Sequence, residues 1–181
     1  MRKVLTAIDV GTTKICTIVG TIDSGGGIQV LGVGMIPSKG LHKGMVVNVE
    51  EAKVSIAESI RRAEQASGIR VETAYVGVTG RHIHSTNSHG VVAIPRNDRL
   101  VRSDDLKRVL DSAQGINIPD DRKILHAIPR QYSLDNQERV KNPVGMHGFR
   151  LDVETHIVTA AISSVQNLVK CIRSVGVEIA D

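Results

Sequence analysis

The run Asp9-Val10-Gly11-Thr12-Thr13-Lys14 holds the residue types and spacing best suited to phosphate chemistry. Gly11 lets the backbone come close to whatever occupies the turn. Consecutive N–H groups in such a turn, with the Thr12 and Thr13 hydroxyls beside them, can cradle an anion, and Lys14 adds a point charge. Asp9 suits a magnesium ion held through water, because Mg²⁺ keeps most of its hydration and takes few protein carboxylates. The run has the glycine spacing of neither a Walker loop nor a dinucleotide fingerprint. A hairpin with a polar turn is the plain alternative, and the surrounding elements must decide between the two.

The rest of the chain offers little catalytic chemistry. No hydroxyl or thiol is paired with a histidine as nucleophile and base, and no two carboxylates are spaced for acid/base work. No catalytic residue is assigned, and the chain is read as a non-enzyme. His82 and His84 would share one face of a strand, but no carboxylate or Cys stands at ligand spacing to make a metal site with them. His126 and His156 read as core or strand-face histidines. Arg96, Arg99 and Arg102 lie ahead of a helix start, with Asp104 and Asp105 in its first turn. One reading is helix-dipole pairing of the acids beside a solvated basic loop. The sharper one is a polar docking edge, in which acids of one protomer meet arginines of another or of a partner's tail.

Composition narrows the classes. Hydrophobic residues make up 41% of the chain, but there is no Trp, one Phe (Phe149) and two Tyr (Tyr75 and Tyr132). The core must be aliphatic, and a nucleic-acid platform that stacks bases on aromatics is not expected. The net charge of +4 is spread out: between Ile83 and Ile162, 11 Lys/Arg face 10 Asp/Glu with the signs interspersed. Without a basic stripe, no nucleic-acid partner is assigned. Cys16 and Cys171 sit in apolar runs and are expected to be buried thiols in a reducing cytoplasm. Met1-Arg2-Lys3-Val4 leads straight into a strand, so no signal peptide is expected, and no apolar run could span a bilayer.

The elements that would hold the turn follow from pattern. Val4–Ile8 and Ile15–Val19 read as a β-hairpin around it. Ile28–Ile36 is a third strand, stopped by Pro37. Asn48, with Glu51 three residues on, signals an N-cap and a variant capping box. Val49, Ala52, Ile56, Ile60 and Ala63 then recur at helical spacing up to Gly68. Val71–Thr79 carries few polar residues and reads as a strand buried in a sheet centre. His82–Ile94 is extended, with a turn signal at Asn87-Ser88-His89-Gly90. Ser103 is expected to cap a helix with Leu106, Val109, Leu110 and Ala113 on one face. Lys123–Leu134 is a strand whose Pro129 marks an edge or bulge. Asn136–Gly148 reads as a loop and Leu151–Ile162 as a long strand. Ser163 and Gln166 suggest a capping box for a helix burying Val165, Leu168, Val169, Ile172 and Val175. Val177–Ala180 begins a further strand, and ending there suggests a fragment.

Without the middle block the order is β-β-β-α-β-α-β, that of the ribonuclease-H-like fold shared by actin, Hsp70 and sugar kinases. The fold class is therefore α/β: an actin/ribonuclease-H-like half-domain with an inserted α+β (strand-helix-strand-strand) subdomain. In that fold the first hairpin turn holds the phosphates of ATP, which favours the phosphate reading of Asp9–Lys14 by analogy. Colinear stretches make the likeness specific. Ile8 to Lys14 is followed by Pro37-Ser38-Lys39-Gly40 with Lys43-Gly44, Gly77-Val78-Thr79-Gly80-Arg81-His82-Ile83 and Asn87-Ser88-His89-Gly90. Leu125-His126-Ala127-Ile128-Pro129 and Lys141-Asn142-Pro143-Val144-Gly145 complete the series. In this order, over nearly the whole chain, they resemble the N-terminal part of the FtsA family of actin-like bacterial cell-division proteins.

The resemblance implies residues 1–82 as the first part of subdomain 1A, 83–162 as the inserted subdomain 1C and 163–181 as subdomain 1A continued. It implies an adaptor that binds ATP and Mg²⁺, polymerises and links the FtsZ ring to the membrane, peripheral at the cytoplasmic face of the division site. Asp9, Gly11, Thr12, Thr13 and Lys14 correspond to the first phosphate motif. Subdomain 1C implies self-association and recruitment of later division proteins. By the same resemblance the second phosphate hairpin, the adenosine motif, the FtsZ-binding subdomain and the membrane helix lie beyond residue 181. The chain is then expected to hold half a nucleotide site, to bind Mg-ATP weakly and to hydrolyse none. Two alternatives share parts of the pattern. A small-molecule kinase of the sugar-kinase type has a similar first motif but no such insert here. The pilus-assembly actin homologue PilM has a similar insert and a different partner.

Overall fold

The computed structural model describes residues 3–181. The chain divides into two compact units, Met1–His82 with Ile162–Asp181, and Ile83–Ala161.

The first unit opens with β1 (Lys3–Val10) and β2 (Lys14–Ile22), antiparallel neighbours whose register runs from Lys3↔Ile22 to Val10↔Ile15. β3 (Ile28–Pro37) pairs with β2, again antiparallel. Two short strands missed in the sequence, β4 (Leu41–His42) and β5 (Met45–Val46), form a minimal hairpin. Its two turn residues, Lys43 and Gly44, have φ of 51° and 80°, the positive pair that a type I′ turn requires. α1 (Val49–Ser67) follows, capped by the Asn48 side chain, which accepts from the N–H groups of Glu50 and Glu51. The other half of the expected capping box is made differently: the Asn48 N–H donates to Gly40 O at 3.1 Å. Gly68, at φ 70°, closes the helix as predicted. β6 (Thr73–Gly77) is shorter than the strand expected over Val71–Thr79, and it is not buried on both faces. Ala74 is buried, whereas Thr73, Tyr75 and Gly77 face outward.

The second unit is a four-stranded antiparallel sheet with one helix. β7 (Ile83–Ala93) runs unbroken through Asn87–Gly90, where a turn had been expected. Gly90 serves another purpose there: a Cβ on it would lie 2.2 Å from Val109 O, in the helix packed on the strand. That helix, α2 (Ser103–Gln114), has Arg102 as its N-cap rather than Ser103. β8 (Arg122–Leu134) and a further strand not foreseen, β9 (Gln137–Val140), flank a tight turn at Asp135 and Asn136, both with positive φ. β10 (Arg150–Ala161) lies between β7 and β8, giving the order β7-β10-β8-β9. The core is aliphatic, with Ile94, Val101, Val109, Ala113, Leu134, Leu151 and Val153 buried.

The chain then completes the first unit. α3 (Ile162–Ser174) starts directly after β10, so Ser163 lies inside the helix instead of capping it. β11 (Glu178–Ile179) pairs with β6 in parallel. The sheet order is β11-β6-β1-β2-β3, with β6 parallel to β1, and β10 belongs to the other sheet. This is the strand arrangement of an actin/ribonuclease-H-like half-domain, with the second unit inserted between β6 and α3. α1 packs on β2, β3 and α3. Its buried Ala52, Ile56, Ile60 and Ala63 join Ile8, Val10, Ile15 and Val19 in one core. Burial of each isoleucine contributes about 1.5–3 kcal/mol. The close seat of α1 depends on β3: a Cβ on Gly34 would lie 1.9 Å from Ser59 O. Ser59 Oγ donates to Gly34 O at 2.8 Å, so the 2.8 Å bond between Thr17 and Ser59 has Thr17 as donor.

Candidate phosphate turn and the loops that hold it

Val10 and Ile15 close the first hairpin, and three residues, Gly11, Thr12 and Thr13, cross between the strands. Inside this turn the Gly11 N–H donates to Lys14 O at 3.0 Å. That donor is therefore used within the turn and does not face an anion, contrary to the expected row of consecutive amides. Among the described residues the N–H groups of Thr12 and Thr13 have no backbone partner. They are the amides left to a ligand, with the exposed Lys14 beside them. A side chain at position 11 would meet Lys14 O at 2.8 Å, so the turn requires glycine.

Two later loops fix the turn. The Ser38 N–H, just past β3, donates to Thr13 O at 3.0 Å. The Gly44 N–H, at the tip of the β4–β5 hairpin, donates to Thr12 Oγ1 at 2.8 Å. Thr12 thus accepts one bond through its hydroxyl and keeps its own O–H for a ligand. Gly44 also abuts the loop after β6, where an added Cβ would lie 2.0 Å from Thr79 O. The β4–β5 hairpin thus belongs to the site together with the residues expected from the sequence. Its signal was present in Lys39-Gly40 and Lys43-Gly44, since both glycines take positive φ.

Asp9 is at the end of β1, opposite Cys16 on β2 and Gly77 on β6. Its carboxylate is exposed. The carboxyl ends of the parallel strands β1 and β6 therefore open side by side at Asp9 and Gly77, the side on which open α/β sheets hold ligands. Gly77 leaves that space free: a Cβ there would be 3.5 Å from Asp9 Oδ1. Asp9, Gly11, Thr12, Thr13 and Lys14 are thus brought together, and Asp9 could hold a hydrated Mg²⁺. Cys16, expected to be buried, is partly exposed, while Cys171 is buried and its thiol is pushed up by burial. His82 precedes β7 and does not share a strand face with His84.

The charged group in the second unit is arranged mainly for its own fold. Asp105 is fully buried, and its carboxylate accepts from the Arg102 N–H at 2.9 Å and from the Arg96 and Arg108 guanidiniums. Burial alone would push the Asp105 carboxyl up, but the Arg102 N–H and the two arginines outweigh it and hold the pKa below the ordinary value. Asp105 and Arg96 therefore form an internal clamp, which corrects their reading as docking residues. Arg99 stacks on Phe149 at 4.6 Å from the ring centre. Arg102 pairs with Asp98 at 2.9 Å, and Asp104 is exposed. His156 is a strand-face histidine, with Nδ1 2.8 Å from Asn87 Oδ1.

Residues 80–159 match the family model of the SHS2 domain inserted in FtsA. The chain is 45% identical to the cell division protein FtsA of Pseudomonas aeruginosa over 99% of its own length. It is 41% identical to FtsA of Borreliella burgdorferi over 97%, and 31% identical to FtsA of Escherichia coli K12 over 98%. In each case it spans 42% of the length of the relative it matches. Among solved structures, the PilM–PilN type IV pilus biogenesis complex superposes with a TM-score of 0.61 over 98% of this chain and 46% of that one. At 12% identity that likeness shows the fold alone. The sequence likeness to FtsA runs through both units, and the inserted domain is matched as the SHS2 domain of FtsA.

Proposed function

We propose that the chain works as part of an FtsA-type cell-division adaptor. In this reading the first unit holds the phosphates of Mg-ATP at Thr12, Thr13 and Lys14, in the turn that Gly11 shapes, with the metal held near Asp9 through water. The second unit is a protein-interaction module, the subdomain 1C of the family, serving self-association and the recruitment of later division proteins. Binding to FtsZ and to the inner face of the membrane at the division site belongs to the longer protein. The chain binds and assembles, and no residue is given a catalytic role. ATP affinity in this chain is weak, because the turn residues Thr12, Thr13 and Lys14 are exposed and Gly11 contributes no amide to a ligand. The observation that carries the reading is the 45% identity to a division protein over 99% of the chain.

A chimera tests it. Residues 1–181 replace the corresponding stretch of Pseudomonas aeruginosa FtsA in cells depleted of their own copy. The expected result is septal localisation and normal cell length. Filamentous cells containing normal amounts of stable chimera would refute the proposal.

A further inference from the structure

The second unit has an open strand edge that leads into a basic cavity. β8 is 13 residues long, but β9 pairs with it only at Tyr132 and Leu134. From Lys123 to Gln131, β8 has β10 on one side and, among the described residues, no strand paired on the other. A cavity of about 460 Å³ lies where the two strands part, lined by Pro129, Arg130, Tyr132, Arg139, Val140 and Lys141. Three of these side chains are cationic. Arg130 is neutralised in part by Glu154, 3.0 Å away, whereas Arg139 and Lys141 have no ion-pair partner among the described residues.

The backbone at this place is unusual for an arginine. Arg139 lies in the register shift of the β8–β9 pair and has φ 61°. Glycine or asparagine would occupy a left-handed bulge position at lower cost. The bulge and Pro129 both oppose indiscriminate pairing at an open edge. Charge makes the same edge selective, since it repels basic strands and favours acidic ones. Tyr132 and Val140 give the cavity an apolar wall, and Ile128, 51% exposed, offers an apolar contact further along β8.

We propose that this edge is a docking groove for an extended acidic peptide, which continues the line of β9 along β8 and places a carboxylate between Arg139 and Lys141. Main-chain bonds to the strand edge would give affinity, and the cations would give specificity. The inference rests on the reading of the second unit as an interaction module and assigns it a binding edge and a ligand chemistry.

Amide chemical-shift mapping on the 181-residue chain tests it. The probe is an acetylated peptide of about eight alternating Val and Glu residues, compared with its Gln-for-Glu copy. The Glu peptide should shift the amides of Ile124–Ile128, Arg130–Gln131 and Arg139–Lys141, and the Gln copy should bind about tenfold more weakly. Lys141→Gln should weaken the Glu peptide several-fold, as should Arg139→Asn, which suits the left-handed backbone. Both variants should keep the unfolding temperature of the parent. Equal binding of the two peptides, or shifts confined to other elements, would overturn the proposal. So would displacement of the peptide by equimolar inorganic phosphate, or a Lys141-dependent preference for phosphatidylglycerol vesicles. A failed chimera with peptide mapping intact would refute the division role and support the groove. A working chimera with no peptide mapping would overturn the groove alone.

Discussion

Asp105 buries a charge completely and surrounds it with donors. Breaking such a cluster costs more than the cluster contributes, because the remaining arginines lose their counter-charge in a half-dry site. Asp105→Ala should therefore lower the stability of the second unit by about 3 kcal/mol in urea unfolding. Asp105→Asn, which keeps the shape, should lower it by about 1–2 kcal/mol. The pH dependence has a fixed sign. The folded-state pKa of Asp105 is depressed from 3.8, so its contribution is fully present above that value and is lost as pH falls through the folded value. As pH falls below about 4 the parent should lose more stability than Asp105→Asn, and equal losses would rule out the clamp. Glu58 makes a useful contrast. Hydrogen bonds from Arg61 and then Arg62 hold it at about 2, but on the solvent face of α1 water screens the same attraction.

At the scale of elements, both units seat a helix by removing side chains from a strand. Gly34 on β3 admits the backbone of α1 at Ser59, and Gly90 on β7 admits that of α2 at Val109. A methyl group at either place must push the helix away, since the atom it meets is main chain. Gly90→Ala should lower the second unit's stability by about 2 kcal/mol, measured by urea unfolding, and Gly34→Ala should do the same in the first unit. Gly145→Ala is not a suitable control, because φ 85° there strains any side chain. Gly115→Ala is: the nearest atom lies 3.3 Å away and the backbone is ordinary, so a small change is expected. Gly90 also shows how far the sequence could be read. Asn87-Ser88-His89-Gly90 has the composition of a turn, and only the 11-residue pairing of β7 with β10 overrides it. The first hairpin and α1 were legible because their signals are local: alternating apolar residues, an Asn cap, a Gly stop. β9 was not, because four residues, three of them polar and exposed, carry no period. In the phosphate turn the residue types were legible, but which amides were already bonded was not. That depended on Lys14 O folding back onto Gly11 and on Gly44 arriving from a hairpin 32 residues away.

For the molecule as a whole, the consequence of the insertion is that each unit closes a core of its own. Ile8, Ile15, Ile56 and Ile172 belong to one, and Ile94, Val109, Leu151 and Val153 to the other. The matched family domain, 80–159, nearly coincides with the unit Ile83–Ala161. A unit with its own buried core, four paired strands and an internally neutralised charge cluster holds the features that cooperative folding requires. It is also small, and a core of this size rarely supplies more than about 3–5 kcal/mol. Residues 83–161 produced alone should therefore unfold in one cooperative transition by circular dichroism and by Tyr132 fluorescence, with a free energy of about 3–5 kcal/mol. Asp105→Ala, which removes a comparable amount, should bring the excised unit to the edge of unfolding at neutral pH, while the 181-residue chain should keep the helical signal of α1 and α3. A broad, probe-dependent transition in the parent unit would mean that the insert relies on the first unit for its fold, and its interaction surface would then have to be studied only in the whole chain.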